Sequence, residues 1–542
     1  MTSFANQSKP AQPSIGKSAF LVATAILLSR ISGLVRESIF GYFFGISAVA
    51  DAFRAALRIP NALQNLFGEG VLSASFIPVY AKLVAQQDRN EAGRVAGAIF
   101  SLLSLTISLL VLVGVLATPW LIDVIAPGFH GETRRLTIQL VRIFFPGIGL
   151  LVLSAWCLGI LNSHGKFFLS YVSSVAWNIA QITVLVAFGD RVDLPRLAVY
   201  TAWASVAGNA LQVLIQIPVV LGLVPVIRWA LRSLGENVRT VVRNFIPAFV
   251  SRGVVQLSAT VDTIIASFLP TSAVAALSSA QTIALLPVSL FGMSVSVAEL
   301  PAMSRTLGDE NQVAAALRKR IADSTRRIGF FVVPSAVALL ALGDVVAGAI
   351  YQRGQFTRAN TIYVWGILAG SAIGLVAQTV GRLYASAYWA LRDTRTPLRF
   401  AVVRVIMTMM LGYLFALPIP RLAGIDPRYG AIGLSATAGF AAWVEFLLLR
   451  RGMNQRIGQT EFPAAYFLRL WTAAGISAVL AWAIRLLVHT RRPTITALVV
   501  LIPYGLAYLG LTTVLGIDQG ATLVRRLARA AERFPPQPRS GL

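Results

Sequence analysis

The stretch Asp51–Glu69 reads DAFRAALRIPNALQNLFGE, and its pattern decides the fold class. Charged and amide side chains recur every three or four positions among mostly apolar residues: Asp51, Arg54, Arg58, Asn61, Asn65 and Glu69. At about 100° per residue they fall within an arc of about 80° on one helix face. An ionisable side chain that faces lipid costs at least about 2.5 kcal/mol, so this polar face has to line a bundle interior or a wet cavity. The pattern therefore predicts a membrane protein with a polar, partly cationic cavity.

The composition of the whole chain is that of a polytopic membrane protein. Of its 542 residues 56% are hydrophobic and 13% are charged, whereas soluble domains carry about 25% charged residues. The apolar runs exceed the length of barrel strands, about 9 to 11 residues, and do not alternate with period two. We therefore predict an all-α protein with about fourteen transmembrane helices of about 20 residues each. They start near residues 18, 47, 95, 136, 167, 197, 239, 272, 328, 360, 398, 429, 463 and 494.

Lysine and arginine mark the loops that are expected to face the cytoplasm. They concentrate in alternate loops, such as those with Lys82, Lys166, Arg232, Arg320 and Arg395, and positively charged loops stay on the cytoplasmic side. Both termini are then expected in the cytoplasm. The net charge of +25 is spread over these loops, so it indicates attraction to anionic membrane lipids and not to nucleic acid.

The two halves of the chain carry a weak internal repeat. Ser47–Ala50 (SAVA) recurs at Ser272–Ala275, and Leu66–Gly68 (LFG) recurs at Leu290–Gly292 at nearly the same offset. An even number of predicted spans separates the copies, so the halves relate by an axis along the membrane normal, as in two-lobed transporters. The expected parts are a cytoplasmic tail, an N-lobe, a C-lobe, a C-terminal helix pair and a basic cytoplasmic tail: residues 1–17, 18–225, 226–455, 456–518 and 519–542.

The arginines of the first two spans indicate an anion site. A guanidinium binds phosphate with paired hydrogen bonds and stays charged. Arg30 and Arg36 lie in the first span and Arg54 and Arg58 in the second, so a phosphate or pyrophosphate is the simplest ligand. An alternative stays open, in which these arginines form fixed ion pairs with nearby carboxylates: Glu37, Asp51 and Glu69.

Polar residues of the seventh span are expected to complete the cavity from the second half. Arg252 and Gln256 are four residues apart, and Asp262 follows nearby. The alternative is that these side chains form hydrogen bonds between neighbouring helices. The turns near 45–50 and 269–273 lack lysine and arginine, so we expect them to close an outer gate.

The sequence lacks the groups that catalysis would need. His130, His164 and His489 lie far apart, Cys157 is the single cysteine, and HExxH, Walker A and GxSxG motifs are absent. We therefore expect a transporter and not an enzyme, without a cofactor or a metal site. The driving force, whether a coupling ion or the membrane potential, stays unassigned.

An ordered series of short motifs resembles that of one family. The motifs are Leu28–Arg30, Arg36–Glu37, Phe44–Gly45, Ala50–Phe53, Ile59–Asn61, Leu66–Gly70, Phe76–Pro78, Ala266–Leu269, Leu300–Pro301, Gln355–Thr357 and Asp393–Pro397. Together they resemble the MurJ (MviN) family of lipid II flippases, which belongs to the multidrug/oligosaccharidyl-lipid/polysaccharide exporter superfamily. The resemblance implies two six-helix lobes followed by two C-terminal helices.

The resemblance also implies a function. Such a protein translocates the undecaprenyl-pyrophosphate-linked peptidoglycan precursor, lipid II, from the inner to the outer leaflet of the bacterial cytoplasmic membrane by alternating access. It implies functional roles for Ser29, Arg30, Arg36, Asp51 and Glu69, and cell-wall synthesis proteins as further partners. The last two spans match the helix pair that forms a groove for the lipid tail.

Two positions depart from the family pattern. Where many members carry arginine, this chain has Gln64 in the second span and Thr282 in the eighth. Arg54, Arg58 and Arg252 then compensate for the lost charge, or the substrate is another polyprenyl-linked saccharide. A third hypothesis, from a different class, is a non-transporting membrane scaffold of the cell-wall machinery.

Overall fold

A computed structural model gives the fold as a set of α-helices. It describes residues 15–523 and 525, except 225–234, 271, 294, 297–298, 300–302, 304–309, 392, 489, 491 and 524. The helices of the first part are α1 Ile15–Phe44, α2 Ala48–Phe67, α3 Glu69–Ala85, α4 Arg89–Ile125, α5 Gly131–Ser163, α6 Phe167–Phe188 and α7 Leu194–Leu223. Those of the second part are α8 Glu236–Ser267, α9 Ala273–Pro287, α10 Glu310–Tyr351, α11 Arg358–Ala390, α12 Arg395–Ala416, α13 Pro418–Leu422, α14 Gly430–Ile457, α15 Ala464–Leu487 and α16 Pro493–Val514.

These helices confirm the prediction of an all-α membrane protein. Within the described residues, 10 helices are long and apolar enough to cross a membrane. On α4 the apolar side chains of Leu105, Leu109, Leu112 and Leu116 are about 60% exposed, as expected of a surface that faces lipid. Every predicted span falls on one of the helices, but the count of fourteen spans stays a prediction. Most of both predicted tails, residues 1–14 and 526–542, lies outside the described residues.

The polar spacing predicted one continuous helix over Asp51–Glu69. The structure shows two helices instead. The backbone leaves the helical region at Gly68, with φ −91° and ψ −147°, and α3 starts at Glu69. The Gly68 amide donates to the Gln64 carbonyl at 2.7 Å, and a Cβ atom at Gly68 would lie 2.2 Å from that oxygen. Glycine permits this tight end because it has no Cβ. Glu69 therefore starts a new helix and does not continue the polar face of α2.

Prolines lie inside several helices. They include Pro60, Pro146, Pro218, Pro247, Pro287 and Pro334. A proline inside a helix leaves the carbonyl four residues earlier without its usual donor. After Pro287 the eighth predicted span continues as a π-helical turn, Val288–Met293, and such turns are frequent at functional sites.

By internal packing the chain divides into two compact units. Unit 1 comprises Met1–Phe40, Ala56–Thr118 and Ile138–Arg252, and unit 2 comprises Gly41–Ala55, Pro119–Thr137 and Gly253–Leu542. The lobe boundaries expected from the sequence stay a prediction. Unit 2 combines the second part of the chain with two segments of the first, which contain the end of α1, the start of α2 and the turn between α4 and α5.

In unit 2 the last two helices, α15 and α16, dock on α10. The Tyr508 hydroxyl donates to the Phe330 carbonyl at 2.7 Å, and the Tyr504 hydroxyl donates to the Pro334 carbonyl at 2.6 Å. Phe330 is four residues before Pro334, so its carbonyl has lost its helical donor. Tyr508 supplies the donor that proline lacks, and the docking thereby satisfies a buried polar group.

Candidate functional site

The two arginines of α1 have different surroundings in unit 1. The Arg36 guanidinium forms an ion pair with Glu37, and both side chains are largely buried. The same guanidinium lies 4.3 Å from the ring centroid of Trp177, a cation–π distance. Arg30 is exposed and forms no ion pair with any described residue. Arg36 thus has the fixed partner that the ion-pair alternative required, whereas the Arg30 guanidinium stays available to a ligand.

Polar contacts hold this part of α1 against α6. Ser29 and Ser174 share a hydrogen bond of 2.8 Å between their hydroxyl oxygens. The Asn178 amide donates to the Ser32 hydroxyl at 2.9 Å. These two bonds hold α1 against α6 in the region of Arg30 and Arg36. Ser29, a predicted site residue, therefore positions the helix in this structure.

The polar face of α2 is its more accessible side. Asn61 and Asn65 are exposed and Arg54 and Arg58 are half-buried, while most of the apolar residues between them are buried. The Asn65 amide donates to the Asn61 carbonyl at 2.9 Å. The predicted face is therefore present on α2 as far as Asn65. The Glu69 side chain lies outside the described residues.

Asp51, at the start of α2, is buried, with 3% of its surface exposed. Its carboxylate accepts hydrogen bonds from the backbone amides of Ser272, at 2.5 Å, and Ala275, at 2.7 Å. These amides lie at the start of α9, on its N-cap residue Ser272 and in its first turn. N–H groups there have no intrahelical acceptor, and the helix dipole favours a negative charge. Asp51 therefore caps a helix about 220 residues away in the sequence, all within unit 2.

Other segments of unit 2 approach each other closely beside this cap. The Gln355 amide donates to the Tyr42 carbonyl at 2.8 Å, and a Cβ atom on Gly45, where φ is +55°, would lie 2.6 Å from the Gln355 carbonyl oxygen. The Gly128 amide donates to the Ser267 hydroxyl at 3.2 Å. Glycine at these positions allows backbones to meet. The expected extracytoplasmic turns are thus packed together.

On α8 the predicted residues include one interhelical contact. The Asp262 carboxylate accepts a hydrogen bond of 3.2 Å from the Gln281 amide of α9, which is the alternative that the sequence left open. The Gln256 side chain is half-buried. The Arg252 side chain lies outside the described residues.

Sequence reasoning missed two ion-pair groups in unit 2. Asp344 on α10 is 1% exposed and accepts hydrogen bonds from Arg358, at 2.9 Å, and from Arg485, at 3.0 Å. Arg404 on α12 lies 3.0 Å from Glu445 on α14. Both carboxylates, Asp344 and Glu445, lie within apolar runs of the sequence. This pattern could have indicated an ion pair, because a buried carboxylate requires a partner. Within the described residues, no group of three or more histidines, cysteines or carboxylates is placed to hold a metal ion.

Comparisons with known proteins give the family. A family model described as "Lipid II flippase MurJ" matches residues 40–529. The chain belongs to the MurJ family. The Burkholderia cenocepacia "Lipid II flippase MurJ" is 31% identical over 439 residues, 79% of this chain and 82% of that protein. A "Probable lipid II flippase MurJ" of Vibrio cholerae is 26% identical over 524 residues, 92% of this chain and 96% of that protein.

Solved structures agree on the fold. "Lipid II flippase MurJ, inward closed conformation" matches with a TM-score of 0.76 at 24% identity, covering 92% of this chain and 99% of that structure. An inward-facing MATE family transporter of the MOP superfamily matches with a TM-score of 0.61 at 17% identity, covering 81% of this chain and 98% of that structure. The chain is thus a multi-pass membrane protein with the transporter fold that MurJ and MATE proteins share.

Proposed function

We propose that this chain is a lipid II flippase, which moves the undecaprenyl-pyrophosphate-linked peptidoglycan precursor from the inner to the outer leaflet. Its membership of the MurJ family supports the reaction. The observation that carries the proposal is the exposed Arg30 on α1, which has no ion-pair partner among the described residues, together with the accessible polar face of α2. A guanidinium suits pyrophosphate because it donates paired hydrogen bonds to phosphate oxygens and keeps its positive charge.

No covalent bond changes in this reaction, so the chain acts as a transporter and not as an enzyme. Its work is to shield a charged head group while the polyprenyl tail stays in lipid. Arg30, Arg54 and Arg58 would neutralise the pyrophosphate, and Asn61 and Asn65 would donate hydrogen bonds to sugar and peptide groups. We propose that both termini lie in the cytoplasm, as the charged loops require.

The mechanism that we propose is alternating access. The Asp51 carboxylate and the first turn of α9 form a closed contact at the expected extracytoplasmic side of unit 2. Opening toward that side requires this contact to break, and closing restores two charge-assisted hydrogen bonds. Each such bond contributes about 1.5–3 kcal/mol, so the closed arrangement is favoured until substrate binding compensates for its loss.

A second candidate substrate is another polyprenyl-linked saccharide. Gln64 and Thr282, both half-buried, stand where many members of the family carry arginine. Neither side chain supplies the lost charge. A head group with less negative charge than pyrophosphate would fit such a site, whereas lipid II needs Arg54 and Arg58 to compensate.

The test is rescue of cells depleted of their lipid II flippase, with lipid II on the outer leaflet measured in the same cells. We expect the wild-type chain to restore growth and lipid II exposure, and the variant carrying both Arg54→Ala and Arg58→Ala to restore neither while inserting at the same level. Exposure of a different saccharide lipid would favour the second substrate. Rescue by the double variant would favour a scaffold of the cell-wall machinery.

A further inference from the structure

A polar cavity of about 620 Å³ lies at the end of α14 in unit 2. This volume is in the range of small-molecule sites, about 300–1,000 Å³. The cavity is far along the chain from every predicted substrate residue. Its lining consists of one leucine, two arginines, three amide side chains and a threonine: Leu447, Arg450, Arg451, Asn454, Gln455, Gln459 and Thr460. The lining is cationic and contains no carboxylate.

The lining offers more donors than the protein uses. The Arg450 guanidinium donates to the Thr460 carbonyl at 3.2 Å, but its Nε is buried without a hydrogen-bond partner. A buried donor without an acceptor costs about 1–3 kcal/mol. Arg451 and Gln455 are exposed and form no hydrogen bond or ion pair with any described residue. The two arginines therefore carry positive charge that no carboxylate of the lining balances, and a negatively charged acceptor fits best.

Asn454 adds a further donor. Its amide oxygen accepts from both the backbone amide of Thr460, at 3.0 Å, and the hydroxyl of Thr460, at 2.6 Å. The amide oxygen is therefore occupied, and the NH₂ group of Asn454 remains as a donor. The Gln459 side chain is exposed and without a described partner. These amides suit the hydroxyl groups of a polar head group next to a phosphate.

The position of the cavity identifies the source of that phosphate. Leu447, on its rim, is 52% exposed, and Leu468 on the following helix α15 is 67% exposed, as expected of side chains that face lipid. Arg450 and Arg451 follow Leu447 by one helical turn, near the end of α14. The charge distribution assigns this end of the helix to the cytoplasm. The cavity thus lies where lipid-facing surface gives way to polar surface. Basic pockets between helices at this level bind anionic lipid head groups.

We propose that this cavity binds the phosphate head group of an anionic phospholipid from the cytoplasmic leaflet. Arg450 and Arg451 pair with the phosphate, and the amides of Asn454, Gln455 and Gln459 bind head-group hydroxyls. The site is separate from substrate translocation and stands whether or not the proposed flippase function holds.

The test is binding of phosphatidylglycerol to the purified full-length chain in detergent, followed by native mass spectrometry. We expect the variant carrying Arg450→Gln and Arg451→Gln to bind phosphatidylglycerol about tenfold more weakly. The variant carrying Arg395→Gln and Arg399→Gln is the matched control: it also removes two positive charges, from exposed side chains at the same end of the protein but outside the cavity, and we expect unchanged binding. Phosphatidylcholine, which has no net charge, should bind equally to all three proteins.

A second variant covers the case in which loss of Arg450 prevents folding. Gln459→Glu keeps both arginines and adds a negative charge at an exposed position of the lining, so it should also weaken phosphatidylglycerol binding. Equal binding to the wild type, the double variant and Gln459→Glu would overturn the proposal. Inorganic phosphate that competes at the same concentration as phosphatidylglycerol would overturn the lipid as its source.

Discussion

At the residue scale, the Asp51 carboxylate has the most consequential contacts. It is buried at the start of α2 and accepts hydrogen bonds from the amides of Ser272 and Ala275. The sequence marked Asp51 as functional through the spacing of polar residues and the family resemblance. It could not reveal the partner, because backbone amides leave no trace in a side-chain pattern. The sequence suggested the arginines of α1 as ion-pair partners of Asp51, but the structure gives it backbone amides.

The first prediction concerns this cap. Asp51→Ala removes both acceptors and leaves two amides of α9 without a partner, so we expect loss of rescue in flippase-depleted cells. Asp51→Asn keeps one acceptor oxygen but loses the charge, and we expect it to rescue partially. Rescue by Asp51→Ala at the wild-type level would show that the contact has no part in transport.

A second prediction separates the two arginines of α1. Arg30→Ala and Arg36→Ala should both abolish rescue, because both guanidinium groups are expected to be needed for transport. Only Arg36→Ala should lower the thermal unfolding midpoint of the purified protein, since it leaves the buried Glu37 without its ion pair. Equal midpoints for the two variants would contradict a structural role for Arg36.

At the scale of elements, the sequence predicted the helices but not how α2 ends or how α16 bonds to α10. The periodicity and length of the apolar runs predicted the helices, and every predicted span falls on one of them. The sequence did not predict the end of α2 at Gly68, because the tripeptide Leu66–Gly68 is compatible with a helix end and also with a helix interior. It also did not predict that Tyr508 would supply a donor to Phe330, since that bond depends on tertiary packing of α16 against α10.

The Tyr508 hydroxyl gives the third prediction. Tyr508→Phe should lower the free energy of unfolding by about 1 kcal/mol or more, because the buried Phe330 carbonyl loses its donor. Tyr413→Phe is the control: its side chain is exposed and forms no hydrogen bond with any described residue. Thermal unfolding in detergent measures the difference, and equal midpoints for the two variants would contradict the role given to Tyr508.

The turn between α11 and α12 gives a fourth prediction, on pH. Partial burial raises the pKa of Asp393, but hydrogen bonds from Thr396 and from Arg456 outweigh it and lower the pKa to about 2. Because this pKa lies below its unfolded value of about 3.9, the ionised form stabilises the fold above pH 4, and that stabilisation is lost as the pH falls toward 2. Asp393→Asn should lower the unfolding midpoint at pH 7, and about half as much at pH 3.

The control for this pH dependence is Asp190→Asn. The Asp190 side chain is exposed and forms no ion pair with any described residue. We expect its midpoint to follow that of the wild type at both pH values. An Asp393→Asn midpoint that differs from the wild type by the same amount at pH 7 and at pH 3 would contradict the ion-pair account.

At the scale of the whole molecule, the first-half segments 41–55 and 119–137 pack within unit 2. The repeat SAVA and the charge-poor turns predicted that residues 45–50 and 269–273 would meet. Asp51, next to the first turn, bonds to Ser272 of the second, whereas Gly45 meets Gln355 and Gly128 meets Ser267. An outer gate at these turns stays a prediction. Which parts of the chain form each lobe could not be decided from hydropathy, because helices of both halves have similar apolar composition.

The central claim, that this chain moves lipid II by opening and closing that contact, is tested by one measurement in proteoliposomes. Protein with Ser47→Cys and Ser272→Cys is reconstituted with fluorescent lipid II, and the fraction that a membrane-impermeant quencher reaches is followed with time. An added oxidant then forms a disulfide between the two introduced cysteines, because the native Cys157 is buried. We predict translocation under reducing conditions, arrest after oxidation and recovery with a reductant. Lipid II that stays inaccessible under reducing conditions, or moves equally fast after complete crosslinking, would contradict the account.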